Sequence, residues 1–247
     1  MPRRMKMIGL TFAAVMGAMT GASAQSEGDF VAAFSGHWQS LDPAFSNGGA
    51  CRISLEGKKT GATYALSSEH CGGELSGVRA WGIVNNQLAL LGAGDTVLAR
   101  MGGNQVRMSG DTAGGKALVF ERVQSNAAAA APVEAAPDAK GCVYYGYTAT
   151  CAKPADFAAP APAANGELAR ASVLIQVNAR AEARPDAPVV STIPADTCVV
   201  IDQCTTASDG LWCRAKVADY SGWIRQKALR QGRWPVLTFT KSCPSAN

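Results

Sequence analysis

Histidine is nearly missing from this chain: His37 and His70 are the only two in 247 residues. With no H-x-x-x-H spacing and no third ligand beside them, they do not make a zinc site. The cysteines contain no C-x-x-C pair, which argues against a thiol redox centre. Gly92-Ala93-Gly94 lacks the third glycine and following helix of a dinucleotide fingerprint and reads as a hairpin turn. Neither histidine adjoins a plausible nucleophile, and no paired carboxylates fall at matched strand ends. A non-enzyme with no metal and no cofactor is therefore expected.

A long hydrophobic run is also lacking. Met7–Met19 is too short to span a bilayer; it follows Arg3, Arg4 and Lys6 and precedes the A-x-A signal Ala22-Ser23-Ala24. Residues 1–24 are read as a cleaved secretory signal, with the mature chain starting at Gln25. No cysteine follows the cleavage point, so no membrane anchor is expected after cleavage. The basic surplus disappears with the signal, because Lys and Arg fall from 23 to 20 against 19 acids. No stripe of Lys and Arg with interleaved aromatics remains, which excludes a nucleic-acid partner. The eight cysteines then suit an oxidising compartment, periplasmic or external.

What the mature chain does contain is short strands cut by turn residues. Eight are expected: 36–41, 51–56, 62–67, 78–84, 87–91, 96–101, 105–109 and 116–122. Asn85-Asn86 is a two-residue link able to take positive φ at both positions, so neighbouring strands are antiparallel. In Cys51–Glu56 apolar and polar residues alternate, giving one buried and one wet face. Eight such strands can close a small barrel filled by side chains. Cys51 and Cys71 are paired across it, a crosslink worth ~3 kcal/mol for a loop of that length. Ahead of the barrel, residues 25–34 show no strand alternation and read by composition as a loose end.

Several pieces occur together in one order: Ser35-Gly36-His37-Trp38, the Cys51 and Cys71 pair with Tyr64-Ala65-Leu66 between them, and Val78-Arg79-Ala80-Trp81. Gln87–Leu91, Gly94-Asp95, Val97-Leu98 and Leu118-Val119-Phe120-Glu121-Arg122 follow. Together they resemble the bacterial alkaline proteinase inhibitor (Inh) family over residues 35–123. The resemblance implies an eight-stranded barrel with one disulfide that inhibits serralysin-type zinc metalloproteases, through an N-terminal trunk entering the protease cleft. The trunk would be residues 25–34, with Gln25 and Ser26 nearest the zinc, Glu27, Gly28 and Asp29 following, Phe30 and Val31 at apolar subsites, and Trp38 supporting it. Glu27 and Asp29 make it more acidic than the family pattern. Related barrels in bacterial outer-membrane lipoproteins imply a broader range of protease targets.

Residues 124–168 turn to Ala and Pro, a composition that forms extended spacers. Within them Cys142 and Cys151 can close a small hairpin carrying Tyr144, Tyr145 and Tyr147, a possible stacking platform but more simply a strand packed on a neighbouring domain. Five strands are expected next, at 173–177, 189–193, 197–203, 211–217 and 221–224. Cys204 and Cys213 flank a hairpin and form a natural pair; Cys198 and Cys243 remain by elimination, tying a tail of residues 232–247 to the domain. Val177-Asn178-Ala179-Arg180, Ile193-Pro194-Ala195-Asp196-Thr197, Trp212-Cys213-Arg214 and Tyr220-Ser221-Gly222-Trp223-Ile224 resemble a bacterial SH3 domain over 169–231. That resemblance implies a peptide- or peptidoglycan-binding module, with Tyr220, Trp212 and Trp223 as a possible groove. The fold expected is thus all-β, an eight-stranded antiparallel barrel joined by an Ala/Pro-rich linker to a small SH3-like barrel. Two functions compete: an exported protease inhibitor, and a periplasmic envelope-binding protein with no inhibitory activity.

Overall fold

A computed structural model describes residues 26–123, 141–162, 166–241 and Cys243. The expected signal segment, Gln25 and much of the Ala/Pro segment lie outside the described residues.

The described residues open not on a loose peptide but on a helix, α1 (Glu27–Phe34). Ser26 caps it, its hydroxyl accepting from the Asp29 amide at 3.2 Å and donating to the Asp29 carboxylate at 2.7 Å. Glu27 and Asp29 place negative charge at the positive end of the helix dipole. Eight residues are too few to hold a helix in water, so its persistence rests on packing. Phe30, Val31 and Phe34 supply that packing by facing the core of the first barrel.

Eight strands follow: β1 (Gly36–Ser40), β2 (Cys51–Thr60), β3 (Thr63–Glu69), β4 (Ala80–Val84), β5 (Gln87–Leu91), β6 (Val97–Gly103), β7 (Arg107–Thr112) and β8 (Ala117–Arg122). Each runs antiparallel to the next, and β1 closes the barrel on β8 with Trp38 opposite Arg122. Asn85 and Asn86 both take positive φ, as the β4–β5 turn requires. Alternate residues fill the interior, among them Trp38, Ile53, Leu55, Trp81, Leu88, Leu90, Met101 and Phe120. Cys51 and Cys71 are bonded at the barrel end remote from α1, where β2 starts and the chain leaves β3.

The second domain gathers β9 (Tyr144–Tyr145), β10 (Ala169–Val173), β11 (Val177–Arg180), β12 (Val189–Ile193), β13 (Thr197–Ala207), β14 (Gly210–Val217), β15 (Tyr220–Arg225), β16 (Lys227–Arg230), β17 (Trp234–Leu237) and β18 (Phe239–Thr240). Seven of them form one sheet in the order β12-β11-β15-β14-β13-β10-β18, and β16-β17-β9 form a second. The expected strand 173–177 is two strands, because the chain turns after Val173 and Leu174 donates to the Thr238 carbonyl at 2.7 Å. Residues 234–240 are not a tail. Gln231 and Gly232 take positive φ and turn the chain back, so that β17 pairs with β16 and, in parallel, with β9. The remaining disulfides are Cys142–Cys151, Cys198–Cys243 and Cys204–Cys213, the last joining residues directly opposite on β13 and β14.

Strand β8 is buried on both faces. Leu118 and Phe120 point into the barrel, while Ala117 and Val119 face outward into a small core shared with Ala183, Ala207, Trp212 and Trp223. The two domains therefore meet along a packed apolar seam.

Candidate functional site

The open end of the first barrel is formed by the β2–β3, β4–β5 and β6–β7 turns, with α1 lying across it. Both ends of the helix are tied down. At its start the Glu27 carboxylate accepts from the Tyr64 hydroxyl and, at 3.0 Å, from the Lys59 ammonium. The Tyr64 hydrogen bond, then the Lys59 hydrogen bond and charge, hold the Glu27 carboxyl below its ordinary pKa. The same hydrogen bond, with desolvation, pushes the Tyr64 phenol up. At the helix end Arg122 donates to the carbonyls of Ala33 at 2.6 Å and Ser35 at 2.8 Å, placing a cation at the negative pole of the helix. Burial lowers the Arg122 pKa, and its guanidinium lies 4.3 Å from the Trp38 ring centroid.

Trp38 joins these parts. Fully buried, it donates its indole N–H to the Phe34 carbonyl at 2.8 Å and stacks against the Phe34 ring at 6.4 Å. Phe30 packs on Phe34 at 4.6 Å. Two grooves flank the helix. One, of about 570 Å³, is lined by Phe30, Phe34, Leu88, Met101 and Val106, the last 60% exposed. The other, of about 550 Å³, lies between Ser26, Glu27, Phe30, Tyr64, Ile83 and Asn86. Ser26, Glu27, Gly28 and Asp29 are exposed, Phe30 is half-buried and Val31 is buried. The residues expected at apolar protease subsites thus contribute first to docking the helix. Arg122 and Lys59 carry no role in the sequence reading; a cation after the last apolar strand residue is the only sequence signal for the first.

The aromatic groove expected on the second domain is not open. Trp212 is 2% and Trp223 8% exposed, because they pack in one core with Ala117 and Val119 of β8, Ala183 and Ala207. Tyr220 is half-buried at the start of β15 and does not join them in that shared core. What the seam holds instead is a charge cluster. Arg107, 5% exposed, donates to Glu121 at 3.0 Å, to Asp209 at 2.8 Å and to the Ala183 carbonyl at 3.1 Å. Asp209 also accepts from the Trp212 indole at 2.9 Å and from Arg225 at 3.1 Å, and Glu121 accepts from the Ser208 amide at 2.9 Å. Burial alone would lower the Arg107 pKa, but Asp209 and then Glu121 outweigh it and hold the value above that of a free arginine.

His37 lies on β1 and His70 in the turn after β3, and among the described residues no group of three metal-ligating side chains occurs. An antiparallel barrel plugged by its own N-terminal helix, in a chain whose eight cysteines are all disulfide-bonded, defines a β-rich extracytoplasmic protein. The sequence matches no known protein-family profile. It is 34% identical over 76 residues to the outer membrane lipoprotein omp19 of Brucella melitensis, and likewise to those of Brucella suis and Brucella abortus. The match takes in 30% of this chain and 43% of the relative, so the chain spans less than half the length of the curated relatives it matches.

Proposed function

We propose that this protein is an exported protease inhibitor, acting in the periplasm or outside the cell on a serralysin-type zinc metalloprotease. The observation that supports this is the double anchoring of α1, by Glu27 at one end and by Arg122 and Trp38 at the other, which leaves Ser26 exposed at the rim. A chain end presented from such a platform loses little conformational freedom on entering a cleft, which favours affinity. A catalytic zinc keeps one position open for water, and a chain end seated there displaces the nucleophile without chemistry of the inhibitor's own. In this reading Gln25 and Ser26 are the inserted residues, and Phe30 and Val106 meet the cleft rim. The second domain serves as the localising or partner-binding module, by a face other than the one buried in the seam.

Purified protein beginning at Gln25 should inhibit a serralysin-type protease, and adding two residues before Gln25 should weaken inhibition while leaving α1 in place. An unaffected protease, tested beside serine and cysteine proteases, would remove the proposal. Inhibition insensitive to the extension would move the activity to the barrel surface.

A further inference from the structure

The second domain has an aromatic surface that the seam does not cover. It forms where the Cys142–Cys151 loop lies against the β16–β17 hairpin, with Tyr144 on β9 paired beside Val236 and Tyr145 beside Leu237. Arg230 and Arg233 bracket the two-residue Gln231-Gly232 turn, with the Arg233 amide bonded to the Arg230 carbonyl at 3.1 Å. Each guanidinium lies against an aromatic ring. Arg233 is 4.8 Å from the Trp234 centroid and Arg230 5.8 Å from that of Tyr147, while Tyr144 meets Trp234 edge-on at 6.0 Å.

Among the described residues no carboxylate lies within ion-pair distance of Arg230 or Arg233. Other described arginines, Arg79 among them, also lack one; what sets Arg230 and Arg233 apart is that two such cations flank a single turn and each lies against an aromatic ring. An aromatic ring behind a guanidinium restrains its plane; Arg230 Nη1 also donates to the Tyr147 carbonyl at 3.4 Å, which leaves its remaining N–H groups for an oxyanion. Tyr147, 59% exposed, adds a flat apolar face beside Arg230.

We infer that this face binds an acidic glycan whose sugar rings carry carboxylates. The Tyr147 ring receives the C–H face of one sugar, and the two guanidiniums take carboxylates by charge-assisted, bidentate hydrogen bonds. Because the Arg230 guanidinium lies within a ring's width of Tyr147, the matching charge sits directly on the stacking sugar, as in a hexuronate, rather than on a long side arm. This deepens the localising role given above to the second domain and is independent of the inhibitory one.

The test is calorimetric titration of the full exported chain with a hexagalacturonate and with its methyl ester, which keeps the rings and removes the charge. The acid should bind in a salt-sensitive manner, and the ester about tenfold more weakly. Both Tyr147 and Arg233 are exposed, so Tyr147→Ala and Arg233→Gln spare the core; each should weaken binding about fivefold or more. Arg79→Gln, removing an equal exposed charge elsewhere, should change it little. No binding by the acid, equal binding of acid and ester, indifference to both face variants, or preference for anionic phospholipid vesicles would overturn the assignment. Protease inhibition in the same preparations is read separately, so either reading can fail alone.

Discussion

The seam between the domains and the mouth of the first barrel are built from the same kinds of residue, an arginine against tryptophan and carboxylate, yet they hold different things. At the seam Arg107, Asp209 and Trp212 are all buried and satisfied by one another. At the mouth Arg122 and Trp38 hold a helix whose outer face meets water, and the carboxylate that fastens its start is exposed. Burial makes the seam costly to break and hard to reach; exposure makes the mouth weaker and accessible. The region with the stronger contacts is therefore the structural one, and the region with the weaker contacts is free to meet a partner.

The sharpest way to break this contrast is Arg107→Ala, which leaves Asp209 and Glu121 short of a buried cation. A loss of about 3–5 kcal/mol is expected from the denaturant midpoint, affecting both domains together. A loss near zero would mean that the seam does not couple them. Arg122→Ala comes next. It should cost about 1–3 kcal/mol, concentrated in α1, whose amides would exchange faster while those of β2 to β7 stay protected. Equal loosening throughout would show that the helix is part of the barrel core rather than a piece docked upon it.

The smallest effect is the most specific. Glu27 has a lower pKa in the folded protein than when free, so its contribution to docking is complete above the ordinary carboxylate value and is lost as pH falls through the lowered one. Exchange of the α1 amides should accelerate on acidification across that window, and Glu27→Gln should abolish the pH dependence while barrel amides remain unchanged. Persistence of the dependence in the variant would assign it to another group.

The first barrel is almost wholly legible in the residues. Alternation in Cys51–Glu56, the Asn85-Asn86 turn and the glycine-bearing turns place its eight strands within a few residues, because each is a local signal of period two bounded by turn chemistry. Three of the disulfides also follow from spacing, while the bond between Cys198 and Cys243, suggested only by elimination, is shown by the structure. Strands β16 to β18 are harder to read. Gln231-Gly232 marks their turn, but Pro235 inside β17 argues against a strand until β17 is seen paired with β9, far away in sequence. Residues 26–34 mislead for another reason. By composition they read as a loose end, yet Glu27 and Asp29 start a helix, Asp29 exchanging hydrogen bonds with its cap and Glu27 bonded to Tyr64 and Lys59.

By itself the sequence determined the β class, the strand order of the first barrel, three of the cysteine pairs and an oxidising destination, all carried by local periodicity and spacing. Only the tertiary structure decided which aromatics are reachable. Trp212 and Trp223 are hidden and Tyr147 is open, because exposure depends on what packs over a side chain, and β8 comes from nearly a hundred residues earlier in the chain. It also decided that α1 is a helix at all, since eight residues gain that state only from the barrel beneath them.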